Sequence, residues 1–357
     1  MRILFKTALA IMLMPFCVAA QDRSAQIDAI FRPLVSGASP GCAVLVIKDG
    51  QPIFTRGYGM ADLRTGTPID GSTNFRLASL TKQFTATAVM LLVRDGKLHY
   101  DDPLSRFFPD FAAYGRAITL RQLLTHTSGL PDYEDLYEAA FAKTPEKQIP
   151  QVTDAQVVAL LARQQSAMFP AGSAWHYSNS GYAVLAMIVE RASGMPFQQF
   201  LQQRVFAPLG MRATVAFVKG RNDVPRRAYG YRRADDRWEF ADQSPTSAVL
   251  GDGGMYSSLH DLGRWDKALA EHTLLSLREM QSALTPVSVP GGAHRADGTP
   301  VQYGFGWFLD AYKGRRRMYH DGETSGFRTT IQRFTDERLT MIILANRTDL
   351  DPDALAL

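Results

Sequence analysis

The chain has 357 residues, of which 46% are hydrophobic and 21% are charged. These values are ordinary for a soluble globular protein and argue against disorder, and the length suits one large domain or two modest ones. The formal net charge of +4 is too small to indicate nucleic-acid binding, and the longest basic cluster, at 315–317, is too short to form a binding stripe.

The first twenty residues have the layout of a secretory signal peptide. Basic Arg2 and Lys6 precede an apolar stretch over residues 8–18, and Val-Ala-Ala stands at 18–20. We therefore expect cleavage after Ala20 and export to the periplasm or the exterior. We expect no membrane span in the mature chain, because no later stretch approaches 18 apolar residues. A buried helix is the alternative, but the stretch is apolar on every face.

Residues 42–47 and 52–58 are predicted to form the two strands of a hairpin, because Asp49-Gly50 between them favours a tight turn. Cys42 is the one cysteine left after the predicted cleavage, so no internal disulfide can form. We expect it to be a small buried strand residue rather than a nucleophile.

A helix is predicted over residues 80–93, and Ser79 stands directly before it. In the run Ser79-Leu80-Thr81-Lys82, the i to i+3 spacing places the serine hydroxyl and the lysine amine on one face, where they can exchange a proton. A serine needs such a base to become a nucleophile, and Lys82 can serve only if burial lowers its pKa from about 10.4. Taken alone, the pattern also fits a capping serine followed by a solvated lysine.

Helical patterns continue through the middle of the chain, with apolar residues at helical spacing and polar residues at the starts. The predicted helices cover residues 119–125, 153–162 with Thr153 as cap, 181–192, 196–206 and 259–270.

Tyr177 and Asn179 form a Tyr-x-Asn pattern just before the helix predicted over residues 181–192. A phenol has a reference pKa close to that of lysine, so Tyr177 could share or relay the serine proton in a dry pocket. Asn179 offers both a donor and an acceptor. The alternative is a packed aromatic residue followed by a helix-capping residue.

Strands are predicted at residues 317–320, 328–334 and 339–345, the last two as a hairpin. His320 and Gly322 close the first of these strands. A donor or cation at a strand edge, followed by glycine, would let a substrate lie along the backbone and use a main-chain N–H as half of an oxyanion hole. A histidine at such a place can also be purely structural.

Strands near both ends with helices between them predict one α+β unit over residues 21–357. Its sheet is built from both termini, and a helical insertion covers roughly residues 76–255. Residues 351–357 look like the first turn of a helix without a body, and we expect the sequence to be truncated there.

The ordered set of Ser-x-x-Lys, Tyr-x-Asn and His-x-Gly resembles the serine β-lactamase and penicillin-binding superfamily. The resemblance is greatest to the branch with class C-like β-lactamases, D-Ala-D-Ala carboxypeptidases, D-aminopeptidases and esterases. Supporting segments are residues 75–85, 123–130 and 251–257. Their joint occurrence in this order makes the resemblance specific over most of the mature chain.

The resemblance implies a mostly antiparallel sheet flanked by helices, with a helical region beside it and the site at their junction. It implies that Ser79 is the nucleophile and that Lys82 and Tyr177 are the proton-transfer pair. Substrate contacts are implied for Asn179, His320, Gly322 and Glu323, and the N–H groups of Ser79 and Glu323 would form the oxyanion hole. No metal or organic cofactor is implied.

The third motif departs from that of many relatives, which have lysine where this chain has His320. A lysine would grip a substrate carboxylate with a fixed charge, whereas histidine is only partly charged near neutrality, and acidic Asp321 and Glu323 lie beside it. We therefore expect an exported serine hydrolase acting on an ester or amide, as an esterase or peptidase. The alternatives are a β-lactamase or D,D-carboxypeptidase acting on cell-wall peptides, and a catalytically silent peptidoglycan-binding protein.

Other candidate sites have less support. His126 and Ser128 could form a base and a nucleophile, but residues 127–131 are typical of a structural turn. His260 and Asp261 lack partners at metal-ligand spacing, and Asp261 is expected to complete a capping box. The sequence contains neither a Gly-x-Ser-x-Gly elbow nor a phosphate loop, which argues against an α/β-hydrolase and a nucleotide site.

Overall fold

The structure, a computed structural model, describes residues 16–145 and 148–357. The predicted signal peptide over residues 1–20 lies mainly outside these residues, and its predicted cleavage point falls within the first helix, α1 (Phe16–Phe31). The signal peptide and the domain limits therefore stay predictions. Within the described ranges, no helix is long and apolar enough to cross a membrane.

The main sheet is built from strands near both ends of the chain, as predicted. In chain order the strands are β1 (Cys42–Lys48), β2 (Gln51–Tyr58), β3 (Met60–Asp62), β4 (Thr67–Pro68), β5 (Phe75–Arg76), β6 (Val215–Ala216), β7 (Tyr231–Ala234), β8 (Arg237–Phe240), β9 (Met255–Ser257), β10 (Phe308–Tyr312), β11 (Arg315–Thr324), β12 (Phe327–Phe334) and β13 (Leu339–Ala345). The order in the main sheet is β10-β11-β12-β13-β1-β2, with antiparallel neighbours throughout. The α+β class and the mostly antiparallel sheet are confirmed.

The helices are α1, α2 (Lys82–Arg94), α3 (Leu120–Leu124), α4 (Tyr133–Ala140), α5 (Asp154–Leu161), α6 (Asn179–Ser193), α7 (Phe197–Leu201), α8 (Leu259–Ala270), α9 (Leu277–Met280) and α10 (Pro352–Ala356). The predicted helix over residues 80–93 begins instead with a 3-10 turn, Ala78–Thr81, which leads into α2. The helix predicted over 196–206 is α7 followed by a π-helical turn, Gln202–Phe206.

Both faces of β1 are buried. Ala43, Leu45 and Ile47 belong to the larger core on the helical side. Cys42 and Val44 belong to a smaller core on the opposite face, to which α1 and α10 also contribute. A strand buried on both faces has no reason to alternate apolar and polar residues, which explains its continuous apolar sequence. Cys42 is fully buried, as expected.

The turn between β1 and β2 follows the predicted chemistry. Asp49 and Gly50 have φ angles of 53° and 76°. Two successive residues with positive φ make the tight turn that matches the twist of the flanking strands.

Helix α2 lies at the centre of the helical layer and packs against α6. At the start of α5, Thr153 forms the predicted cap, in a capping box with Gln156. At the start of α8, Ser258 accepts the Asp261 N–H. The Asp261 side chain does not return the bond as predicted, because its carboxylate accepts the backbone N–H groups of residues 213 and 214.

Candidate active site

Ser79 lies in the 3-10 turn between β5 and α2. This turn starts abruptly, because Ala78 has a left-handed φ of 50°. The Leu77 N–H donates to the Met255 carbonyl at 2.8 Å, which fixes the start of the turn to β9. The Ser79 side chain is partly exposed at the cleft, while its neighbours in the turn are buried.

The Lys82 amine is fully buried beside Ser79. Its Nζ lies 2.9 Å from Ser79 Oγ, 2.8 Å from Asn179 Oδ1 and 3.0 Å from the Asp252 carbonyl oxygen. The i to i+3 spacing therefore brings the hydroxyl and the amine together, as the sequence predicts, and proton exchange between them is geometrically allowed.

Burial lowers the pKa of Lys82 to about 8, although nearby carboxylates, Asp252 first among them, oppose the shift. The same burial raises the pKa of the Asp252 carboxyl, and the Tyr133 hydroxyl donates to it at 2.8 Å. The amine thus has the environment that a neutral lysine requires.

Tyr177 reaches the same point from the segment before α6. Its ring centroid lies 4.9 Å from Lys82 Nζ. Burial raises the pKa of the Tyr177 phenol well above 10, and a hydrogen bond with Ser79 opposes that shift. The hydroxyl, the amine and the phenol therefore meet in one pocket, although nearly a hundred residues separate Tyr177 from the other two.

Asn179 is the first residue of α6 and is held at both ends of its amide. Its Oδ1 accepts from Lys82, and its Nδ2 donates to Glu134 Oε2 at 3.0 Å. Ser178 caps the helix by accepting the Gly181 N–H. Glu134 was not among the predicted site residues and comes from helix α4, which was not predicted.

His320 is buried on β11, and both of its ring nitrogens have internal partners. Nδ1 lies 2.6 Å from the Asp321 carbonyl oxygen, so it carries the hydrogen, and Nε2 accepts from the Tyr303 hydroxyl at 3.2 Å. Burial lowers the pKa of His320 to about 4. The side chain is therefore neutral at pH 7, whereas the sequence predicted partial charge.

Gly322 faces protein rather than the cleft. A Cβ at this position would lie 2.4 Å from both the Leu77 carbonyl oxygen and Thr329 Oγ1. Glycine is needed here because β11 packs directly on the turn that holds Ser79. The sequence-based prediction instead attributes this glycine to the space that a substrate backbone needs.

The end of β11 has one free edge. β10 pairs with β11 only as far as Tyr319, whereas β12 continues to pair up to Thr324. The Glu323 side chain is exposed there and forms an ion pair with Arg328 at 2.5 Å. An unpaired strand edge leaves main-chain groups available to an approaching carbonyl group.

A cavity of about 420 Å³ opens over these groups. Of the predicted site residues, Ser79, Tyr177, Asn179, His320 and Glu323 line it, while Lys82 and Gly322 do not. Trp175 and Phe308 form an aromatic wall, and Asp321 and Arg295 add opposite charges. The guanidinium of Arg295 lies over the Phe308 ring at 4.6 Å and donates to the Tyr319 hydroxyl at 3.3 Å.

Sequence reasoning missed Asp252, Glu134 and Arg295, and it assigned His126 to a structural turn. Asp252 lies in the supporting segment 251–257, which could have indicated it, whereas nothing in the sequence singled out the other two. Within residues 16–145 and 148–357, no group of His, Cys, Asp and Glu side chains is arranged to hold a metal ion.

Comparison with curated proteins shows two kinds of relative. Penicillin-binding protein 4* of Bacillus subtilis is 32% identical over 92% of this chain and 72% of that protein. D-aminopeptidase of Cereibacter sphaeroides is 30% identical over 86% of this chain. The match spans only 57% of that enzyme's length.

Solved structures of two such proteins share the fold. The penicillin-binding protein from Bacillus halodurans superposes with a TM-score of 0.76 at 28% identity, covering 92% of this chain and 97% of that one. The D-amino acid amidase from Ochrobactrum anthropi SV3, complexed with L-phenylalanine amide, gives 0.76 at 28% identity and covers 94% of each chain. The sequence model of the Beta-lactamase family matches residues 27–357. The chain therefore belongs to the Beta-lactamase family and is a serine hydrolase with peptidase and amidase relatives.

Proposed function

We propose that Ser79 attacks an amide or ester carbonyl and forms a covalent acyl-enzyme, with Lys82 and Tyr177 moving the proton. The observation that supports this most is the coordination of Lys82. A neutral amine has two N–H groups and one lone pair. With Asn179 Oδ1 and the Asp252 carbonyl as acceptors, the lone pair is left for the Ser79 hydroxyl at 2.9 Å.

The pKa values favour Lys82 over Tyr177 as the base. With a pKa of about 8, holding Lys82 neutral at pH 7 costs about 1.4 kcal/mol, against about 4 to 5 kcal/mol for a solvated lysine. Tyr177 has a raised pKa and stays protonated. It can therefore donate a proton to the leaving group and recover one from Lys82, which would move the Ser79 proton across the site.

Bond formation between Ser79 Oγ and the carbonyl carbon places negative charge on the carbonyl oxygen. The N–H groups of Ser79 and Glu323 would bind this oxyanion, and the free edge of β11 supports the second of these roles. Collapse of the intermediate breaks the C–N or C–O bond. Water bound near Tyr177 then gives a proton to neutral Lys82 and attacks the acyl-enzyme carbonyl. The bond to Ser79 Oγ breaks, Oγ takes the proton back from Lys82, and the acid is released.

The charges around the cleft favour a substrate that lacks a carboxylate at the His320 end. His320 is neutral, and Asp321 and Glu323 line the cavity. An amide or peptide bond in a neutral or amine-bearing substrate suits this environment, in agreement with relatives named as a D-aminopeptidase and a D-amino acid amidase. Esters of similar shape would be cleaved by the same steps.

One observation supports the alternative of a D,D-carboxypeptidase or β-lactamase. Arg295 places a cation on the cavity wall, where it could meet a substrate carboxylate that His320 cannot hold. The penicillin-binding relatives fit this alternative.

Labelling with a fluorophosphonate probe tests the nucleophile. We expect the wild type to be labelled and Ser79→Ala not to be. Equal labelling of both would remove Ser79 from the mechanism, and an unlabelled, inert wild type would favour a silent peptidoglycan-binding protein. Turnover of a nitrophenyl ester, a D-aminoacyl amide, a chromogenic cephalosporin and a D-Ala-D-Ala peptide then separates the substrate classes.

We also propose that the protein is exported. The N-terminal pattern of basic residues, an apolar stretch and Val-Ala-Ala supports this. N-terminal sequencing of protein recovered from the periplasm or the medium should give Gln21 as the first residue, and an intact Met1 would contradict cleavage.

A further inference from the structure

His126 lies against Tyr177 without being part of the cleft. Its side chain is fully buried. The ring centroids of the two residues are 4.4 Å apart, with 36° between the ring planes. His126 also has a left-handed φ of 61°, in the turn that follows α3. A non-glycine residue in this conformation is held there by its surroundings.

The main chain on both sides of Tyr177 is bonded to His126. The His176 N–H donates to the His126 carbonyl oxygen at 2.9 Å. The Ser178 N–H donates to His126 Nδ1 at 3.1 Å. Residues 174–178 form no regular secondary structure. These two hydrogen bonds therefore hold the main chain in place of the backbone hydrogen bonds that a strand or helix would provide.

The hydrogen bond from Ser178 defines the state of the imidazole. Nδ1 accepts, so it has no hydrogen, and the neutral ring carries its hydrogen on Nε2. Burial, together with nearby Lys82, lowers the pKa of His126 well below its usual value of 6.5. A protonated ring would set a second N–H against that of Ser178 and break the contact.

The His126 ring also packs against two further aromatic residues. His126 lies 4.5 Å from the Tyr303 ring and 5.2 Å from the Tyr182 ring, measured between centroids. Tyr303 in turn donates to His320. A change in the shape of residue 126 would therefore shift Tyr177 relative to the other walls of the site.

We propose that His126 is a positioning residue for Tyr177, acting through its Nδ1 acceptor and its ring. This rests on the proposed role of Tyr177 in proton transfer. A proton donor must lie within hydrogen-bond reach of the group it serves, so a displaced Tyr177 slows the chemical step. Substrate binding in the cleft depends on His126 far less, because the ring does not reach the cavity.

Two amide variants separate the acceptor from the rest of the side chain. In His126→Asn, Oδ1 stands near the former position of Nδ1 and can accept from Ser178, and asparagine tolerates positive φ. In His126→Gln, the amide is one methylene further out and cannot. We expect Gln to lower kcat for an ester substrate by about 10²-fold with KM changed less than about threefold, and Asn to recover activity to within about tenfold of wild type.

A double-mutant cycle with Tyr177→Phe tests whether the effect passes through the phenol. We expect His126→Gln to change kcat less than about twofold in the Tyr177→Phe background. An equal loss in both backgrounds, or wild-type kcat in folded His126→Gln, would overturn the proposal. Melting temperatures of all variants check the fold.

A measurement on the wild type keeps the proposal testable if the glutamine variant does not fold. The ¹⁵N resonances of histidine-labelled protein should show His126 Nδ1 unprotonated at pH 7, and a protonated Nδ1 would overturn the proposal. Fluorophosphonate labelling of the wild type is measured independently. Absence of labelling would contradict the proposed hydrolase mechanism, whereas a labelled protein with protonated His126 Nδ1 would contradict only the role of His126.

Discussion

The surroundings of Lys82 make its amine easier to deprotonate than a solvated lysine. A buried ammonium is costly, and the site does not offset this cost with a close carboxylate but with the neutral acceptors Asn179 Oδ1 and the Asp252 carbonyl. The acidic groups further away raise the pKa of Lys82, but by less than burial lowers it. The amine is thus easy to deprotonate and is still held in one orientation beside Ser79.

We expect Lys82→Ala to lower the acylation rate by about 10² to 10⁴-fold, because the general base is lost. The measurement is the rate of probe labelling or ester turnover, with circular dichroism to check the fold. Lys267→Ala, in an exposed i,i+4 pair on α8, is the matched control and should behave as wild type. Wild-type labelling by a folded Lys82→Ala protein would refute the role.

The activity should depend on pH through the same amine. Because the folded-state pKa of Lys82 is lowered to about 8, the active neutral form increases as pH rises, and kcat/KM should rise up to about pH 8 and then level off. A profile already flat from pH 6 would contradict this assignment. The titratable groups that interact with or lie near the amine include Asp132, Glu134, Asp252, Asp321, Tyr177, Tyr182, His126 and His320.

At Gly322, strand β11 packs directly on the 3-10 turn that contains Ser79. Adding a Cβ in Gly322→Ala would force Leu77 and Thr329 apart. We expect a loss of about 1 to 3 kcal/mol in the free energy of unfolding and at least about tenfold slower acylation, since the displaced turn contains Ser79. Gly253→Ala is the control, because its Cβ would meet Ala78 at 3.7 Å, an ordinary contact. Equal losses in the two variants would show that the close approach is unimportant.

At the scale of elements, the sequence predicted those strands and helices whose positions are determined by hydrophobic pattern and turn residues. β1, β2, β12, β13 and α8 occur where their patterns place them. Helix α4, the β7–β8 hairpin and β10 were not predicted. Helix α4 has apolar residues at helical spacing, at positions 133, 136, 137 and 140, and this pattern was overlooked. β7, β8 and β10 are only four or five residues long and largely exposed or partly exposed, so their sequences distinguish them poorly from loops.

The candidate site was predictable only where its residues share a local spacing. Ser79 and Lys82 are one helical turn apart, which the sequence shows directly. The contacts of Lys82 with Asn179 and Asp252 join positions 97 and 170 residues away. Spacing carries no information about such contacts, and only the resemblance to a family brought Tyr177 and Asn179 into the site. Arg295 and Glu134 had neither kind of support.

The segment between α9 and β10 contributes Arg295, and its anchor residues Val289, Ala293 and Val301 pack in one cluster with Trp175. We expect Arg295→Gln to lower kcat/KM for a substrate with a carboxylate beside the scissile bond by about tenfold more than for the matching carboxamide. A charge-assisted hydrogen bond of about 1.5 kcal/mol accounts for that factor.

The control for this prediction is Arg316→Gln, whose guanidinium pairs with exposed Asp336 outside the cavity. Arg316→Gln should leave the ratio of kcat/KM for the carboxylate and carboxamide substrates as in wild type. An equal effect of Arg295→Gln on both substrates would show that Arg295 does not recognise the carboxylate.

At the scale of the whole molecule, the sheet stands between two apolar cores, and the larger one is shared with the helices that hold the site. A buried polar link crosses this larger layer. Asp266 on α8 accepts from Arg333 Nε at 2.7 Å and from Thr340 Oγ1 at 2.8 Å, and so joins the helix to β12 and β13. Both charged residues are almost completely buried, at 4% and 8% exposure.

Removing one partner of a buried ion pair leaves the other without compensation. We therefore expect Asp266→Ala to lower the free energy of unfolding by about 3 to 5 kcal/mol in urea denaturation. Asp336→Ala breaks the exposed pair with Arg316 and should cost less than about 1 kcal/mol. If the two variants lost similar amounts, the attachment of α8 to the sheet would depend on apolar packing alone. If only Asp266→Ala caused a large loss, the result would show that the buried pair with Arg333 stabilises the attachment of α8 to the sheet.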